Sequence, residues 1–402
     1  MRLVLSTDAL KPPLTGIGYY ALVVYQGLLE SLDKDTVFAW NRGRLSPAQE
    51  VLEQSCLRLS QAENSVAGRR ILNLSHLGSL AARSDVIVKL YKLVTQTGAR
   101  ISLRAFESTD VYFSPNFLLV PFPGKTVVTL ADFSTLRYPE YHPKARVRLV
   151  NSAIDYARKH ADAVITLTEK MREEACEDHG FDHERVFVTP LAARSVFKPL
   201  ARPDTATVLD EHGLEYKGYF LSTNTIEPRK NIEVALEAYV SYAEAVGKSN
   251  AMPLVLTGYS GWKNEQIFRR IQTLAGQLPV IYLGYVSDTV LSTLTAGALA
   301  TIYLSIYEGF GLPILESMQA GTPVVCSNHG AMAEVGGAAC LAVPAGDEEA
   351  VAAAMLSLQK SPDLAARLIV LGEKRAMSYT WQSTVKRTLD VLSMVSASAR
   401  RP

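Results

Sequence analysis

Short apolar runs rich in β-branched residues recur at 3–6, 111–114, 126–130, 163–167 and 186–189 in the first half of the chain. In the second half they fall at 219–222, 254–257, 280–283, 301–304, 323–326 and 340–343. Stretches of helical periodicity separate them. Continuous apolar runs mark strands covered on both faces, and their alternation with helices marks parallel sheets. The pattern predicts an α/β chain with doubly wound sheets. It breaks at 196–204, where Pro199 and Pro203 interrupt the alternation and suggest a linker. The reading is a Rossmann-like domain over 1–199 and a second over 200–381, facing each other across a cleft. A last helix, about 382–402, is placed to pack back on the first domain.

One run resembles a membrane span, because no charge occurs between Asp288 and Glu308. That is about the length a bilayer requires. Ser292, Thr293, Thr295, Gly297, Thr301 and Ser305 fall inside it, so a buried helix followed by a strand is the better reading. The opening residues, charged at Arg2 and Asp8, read as a first strand rather than a signal peptide.

Composition adds limits. The 402 residues are 48% hydrophobic and 20% charged, and the formal net charge is +1. Such a chain buries sizeable cores and has no overall field suited to nucleic acid. Cys56, Cys176, Cys326 and Cys340 are far apart in sequence and form no CxxC pair, which suits a reducing cytoplasm. Charge is concentrated only at 66–105, with seven Lys or Arg against the single acid Asp85. Apolar residues recur there at helical spacing. The stretch reads either as a helix pair covering the sheet or as a basic amphipathic surface for peripheral contact with the inner membrane.

The segment Glu308-Gly309-Phe310-Gly311-Leu312-Pro313-Ile314-Leu315-Glu316 lies between a predicted strand and a predicted helix. Pro313 suits the first helical position, and the glycines let backbone approach a ligand. Backbone N–H groups near Gly311 and Leu312, aided by the helix dipole, would suit a diphosphate. Carboxylates at a strand's carboxyl end suit sugar hydroxyls. Alone, Glu316 reads as a partner of the helix dipole and Glu308 as a loop residue; the whole arrangement points to a ligand site.

This segment, followed by Ala320-Gly321-Thr322-Pro323-Val324-Val325, resembles the donor-site signature of family-4 retaining glycosyltransferases of the GT-B fold. The likeness extends over about 219–381. It implies that Glu308 contacts the transferred sugar and that Glu316 binds the nucleotide ribose. Thr225-Ile226-Glu227-Pro228-Arg229-Lys230-Asn231 resembles the phosphate-binding loop, which makes Lys230 and Arg229 pyrophosphate ligands. Val286, in Gly284-Tyr285-Val286-Ser287, marks the turn that reads the base through its backbone. Gly258-Tyr259-Ser260-Gly261-Trp262 is similar to a further family loop, and reads equally as a plain strand-to-helix turn. Gly16 and Gly18 resemble the flexible glycine loop at the donor phosphate and acceptor. Ala131 stands where many relatives carry histidine, so either that histidine's role is dispensable here or another acceptor-side group such as Asp132 or Tyr19 serves. Ala192-Ala193-Arg194 departs from the Gly-Val-Asp turn expected after Pro190.

The resemblance implies retaining, metal-independent transfer of a hexose or deoxyhexose, mannose or rhamnose preferred, from a GDP-linked donor. No cofactor is implied beyond the nucleotide sugar. The acceptor would be a saccharide or a polyprenyl-diphosphate-linked glycan of surface-polysaccharide or O-antigen synthesis. The place implied is the cytoplasm, with peripheral contact at the inner membrane. A sugar-nucleotide 2-epimerase and a noncatalytic sugar-nucleotide-binding module are the competing readings.

Overall fold

The computed structural model describes residues 1–10, 14, 16–64 and 95–398. Two compact units result: Met1–Leu191 with Trp381–Pro402, and Ala192–Thr380.

Among the described residues, the first unit is built on seven strands: β1 (Leu3–Ser6), β2 (Val37–Asn41), β3 (Arg44–Pro47), β4 (Val111–Ser114), β5 (Lys125–Thr129), β6 (Ala163–Thr166) and β7 (Val186–Val188). Their order is β3-β2-β1-β4-β5-β6-β7, parallel except for the β2–β3 hairpin. The strands β1, β4, β5 and β6 are buried along their whole length, as their continuous apolar runs require. The last helix, Trp381–Ala397, belongs to this unit and lies so close to the helix Gly16–Ser31 that a Cβ on Gly27 would sit 2.6 Å from Val385.

The second unit carries six parallel strands among the described residues: β8 (Phe220–Thr223), β9 (Leu254–Thr257), β10 (Val280–Gly284), β11 (Ala300–Tyr303), β12 (Val324–Ser327) and β13 (Leu341–Val343). The order is β10-β9-β8-β11-β12-β13. Connections run one way from β8 through β10, then cross to β11 and run the other way. The carboxyl ends of β8 and β11 are therefore a topological switch point, where open α/β sheets leave a crevice for ligands. The core under the sheet includes Phe220, Leu236, Tyr239, Leu254, Leu256, Ile302 and Val325, all buried.

The uncharged run after Asp288 is a helix, Asp288–Gly297, followed by β11. Among the described residues no helix is long and apolar enough to cross a membrane. The boundary between units falls at Leu191, ahead of the two prolines, because Phe197 is buried with Ala296 and Ala320 of the second unit. Of the basic stretch, 66–94 lies outside the described residues. Its end is helical over 95–102, with Ala99 and Leu103 buried in the first unit's core. Cys326 and Cys340, distant in sequence, bring their Sγ atoms to 3.0 Å in the second unit.

Candidate active site

The loops after β8 and β11 meet at the switch point. Pro228–Lys230 forms one 3₁₀ turn, and Asn231 takes the left-handed conformation with φ 56° before the helix Ile232–Val246 begins. Asn231 holds that turn by donating its side-chain amide to the Ala345 carbonyl. The Ile306 N–H donates to the Arg229 carbonyl at 2.9 Å and joins the two loops along their backbones.

Side chains then converge. Lys230 donates to Glu308 Oε1, and Arg229 Nη1 lies 3.1 Å from the same oxygen. Arg229 also donates to the Tyr307 carbonyl at 2.6 Å and to Glu227 at 2.9 Å. The group thus comprises two cations and two carboxylates. Burial alone would push the Glu308 carboxyl up; Arg229 and Lys230 outweigh it and hold it down at about 2. The two cations differ in freedom. Arg229 bridges two carboxylates and a carbonyl, whereas the Lys230 ammonium has three donors and bonds one of them to Glu308.

Gly311 follows with φ 97°, a conformation that favours glycine, and the helix Leu312–Gln319 starts directly after it. Pro313 occupies the second helical position rather than the first, which the missing N–H also tolerates. Gly309 and Phe310 are buried, Phe310 edge-on to Tyr379 at 5.8 Å, and they fix the approach of the chain to this helix. On the helix, Glu316 is 4% exposed and is gripped by Arg194, with Nε to Oε1 at 2.5 Å and Nη2 to Oε2 at 3.1 Å. Burial pushes the Glu316 carboxyl up despite the opposing pull of Arg194. Val286 is half-buried in the turn after β10 and Tyr285 beside it is exposed.

The loop 258–262 is scaffolding for 224–230. A Cβ on Gly258, at φ 135°, would lie 1.9 Å from the Asn224 carbonyl oxygen. Ile226 exchanges backbone bonds with Tyr259 and Gly261 at 2.8 and 3.0 Å, and Asn264 donates to the Ile226 carbonyl. Of the two readings open for this loop, the strand-to-helix turn accounts for its glycines.

The model for glycosyl transferases group 1 matches residues 207–375, the stretch that carries all of these loops except Arg194. Over 397 residues the chain is 30% identical to the O-antigen chain mannosyltransferase B of Escherichia coli, covering 98% of this chain and 100% of that one. The chain belongs to the group 1 glycosyltransferases. A second relative, the O-antigen chain mannosyltransferase RfbU of Salmonella typhimurium, is 22% identical, over 62% of this chain and 65% of its own length. The fold of this glycosyltransferase is GT-B. It resembles Anabaena HepE, solved with UDP and glucose, at a TM-score of 0.67 and 16% identity, covering 98% and 99% of the two chains. A glycosyltransferase from Rickettsia africae gives 0.66 at 13% identity, covering 99% of each.

In the glycosyltransferase's first unit, Gly16 and Gly18 form the first turn of the helix Gly16–Ser31 rather than an open loop. Gly18 has no room for a side chain, since a Cβ would meet the Ala9 carbonyl and Leu14 at 2.8 Å. Tyr19 is half-buried with its ring edge-on to Trp381 at 5.6 Å. Asp132 accepts from the Ser134 N–H at 2.8 Å and braces the turn after β5. Two residues of the second unit escaped the sequence reading. Glu227 shares Arg229 with Glu308, and its place beside Arg229 in the same short loop was the available signal. Arg194 pairs with Glu316, and its signal was the departure from the Gly-Val-Asp turn.

Proposed function

We propose that this glycosyltransferase moves mannose from GDP-mannose to a lipid-linked saccharide acceptor of O-antigen type, with retention of anomeric configuration and without a metal ion. The observation that carries the donor assignment is the Lys230–Glu308–Arg229 group at the switch point, next to the N-terminus of the helix Leu312–Gln319. The chain's likeness to two O-antigen chain mannosyltransferases favours mannose and an O-antigen acceptor.

In this reading Lys230 turns toward the donor diphosphate and neutralises the charge that develops as the sugar departs. The first N–H groups of the helix add to that field. Arg229 acts behind them, keeping Glu308 ionised and in place. The Glu308 carboxylate accepts hydrogen bonds from the sugar hydroxyls. Attack comes from the face the diphosphate leaves, and the leaving diphosphate oxygen takes the acceptor proton. Glu316 takes the ribose, and the turn at Val286 meets the base.

Incubation with GDP-mannose and a polyprenyl-diphosphate-linked saccharide tests this. GDP release that requires acceptor, with an α-linked mannosyl product by NMR, is expected. A β-linked product overturns retention. Binding without any release leaves the noncatalytic reading in its place, and an altered free sugar nucleotide the epimerase.

A further inference from the structure

We propose that Arg194 is a positioning residue for the donor ribose, holding the Glu316 carboxylate in one orientation and tying it to Asp288 beside the base-facing turn. The inference rests on the reading that Glu316 takes the ribose.

Arg194 meets two helices of the second unit. Its Nε and Nη2 bond the two oxygens of Glu316, and its Nη1 lies 2.6 Å from Asp288 Oδ1. Asp288 is the first residue of the helix Asp288–Gly297, two positions after Val286. The guanidinium also lies over the Phe197 ring, 4.9 Å from its centroid, and Phe197 is buried. The backbone is fixed from the other side. Gln319, one turn after Glu316 on the same helix, donates to the carbonyls of Arg194 and Phe197 at 3.2 and 2.7 Å. Side chain and main chain of Arg194 are thus both anchored to the helix that carries Glu316.

The chemistry follows from lone pairs. Each carboxylate oxygen accepts more than one hydrogen bond, and the two-pronged pairing uses one direction on each. The remaining direction on each oxygen points away from the fork and is left to accept from a ribose hydroxyl. Glu316 is buried near the carboxylate of Asp288, so without Arg194 it would be both desolvated and repelled. Arg194 offsets both effects and places a single cation between the ribose-facing and base-facing segments. Side-chain exposure rises outward through the group, from 5% at Glu316 through 17% at Arg194 to 40% at Asp288. A lysine at 194 would keep the charge and lose the fork.

The test measures dissociation constants by calorimetry for the full chain. The ligand is whichever of GDP, UDP and ADP binds tightest, compared with its 2′-deoxy and 3′-deoxy analogues. Wild-type protein should lose about tenfold in affinity when either ribose hydroxyl is removed. Arg194→Met should weaken the parent nucleotide about tenfold and shrink the deoxy penalty to about twofold or less. Arg194→Lys, which is milder toward the fold, should also lose most of the penalty. An Arg194 that only held the fold together would weaken all three ligands equally, and equal weakening overturns the proposal. A full penalty retained by Arg194→Lys does the same. Glu316→Gln separates the two claims. If it erases the penalty while the Arg194 variants keep it, the ribose reading stands and the positioning role falls. If wild-type protein shows no penalty, or Glu316→Gln retains it, the ribose reading fails and takes the proposal with it.

Discussion

Lys230 donates to the carboxylate of Glu308 although 78 residues separate them in the chain. Neighbouring strands in a parallel sheet bring such distant loops together, and β8 and β11 are hydrogen-bonded neighbours at the point where the strand order turns. An ion pair of limited exposure in that position costs desolvation, so it is weak evidence for stability and better evidence for a site.

Lys230→Met should therefore cost activity more than fold. Removing a donor aimed at developing charge typically lowers turnover by about 10²–10³. The expected result is that loss in transfer rate with weaker nucleoside-diphosphate binding and a preserved far-UV circular dichroism spectrum. Steady-state kinetics and calorimetry check it.

Acid should unfold the protein partly through Glu308. Its carboxyl is held down at about 2 in the folded chain against an ordinary value of 4.5. The unfolded chain takes up this proton first, so stability from Glu308 is complete above about 4.5 and is lost as pH falls toward 2. Glu308→Gln should flatten that part of the stability–pH curve, measured by denaturant unfolding between those limits.

Gly258→Ala should be severely destabilising. The new Cβ would lie 1.9 Å from the Asn224 carbonyl oxygen at a backbone φ of 135°. Strain of this kind costs roughly 2–4 kcal/mol. A clear fall in thermal midpoint is expected, together with weakened transfer, because the loop 224–230 must shift to relieve it.

Metal removal supplies a fourth check. Lys230 and the helix N-terminus are the proposed neutralising groups, so transfer should proceed unchanged after treatment with a chelator. Loss of activity restored by a divalent ion would assign that charge to the metal instead.

Much of this arrangement was legible in the sequence. Eleven apolar runs became strands within about a residue of their expected ends, because buried parallel strands declare themselves by continuous hydrophobicity. The hairpin of β2 and β3 did not declare itself. Arg44–Pro47 is a short antiparallel strand of mixed polarity, and its turn is Arg42-Gly43, both at positive φ, rather than the Asn-Gly or Asp-Gly that usually signals such a hairpin. Glu308, Lys230 and Glu316 were recognisable because each sits in a local motif. Arg194 was not, because its meaning lies in a partner 122 residues away. Likewise Gly18 satisfies close packing against Ala9, a demand that spacing alone does not reveal.

The central claim is that Glu308, held by Lys230 and Arg229, serves the transferred sugar. The most direct measurement is the transfer rate of Glu308→Ala from GDP-mannose to the saccharide acceptor, taken beside its thermal midpoint. The account predicts a fall of about 100-fold or more with the fold intact. Turnover near that of the wild-type protein would contradict it.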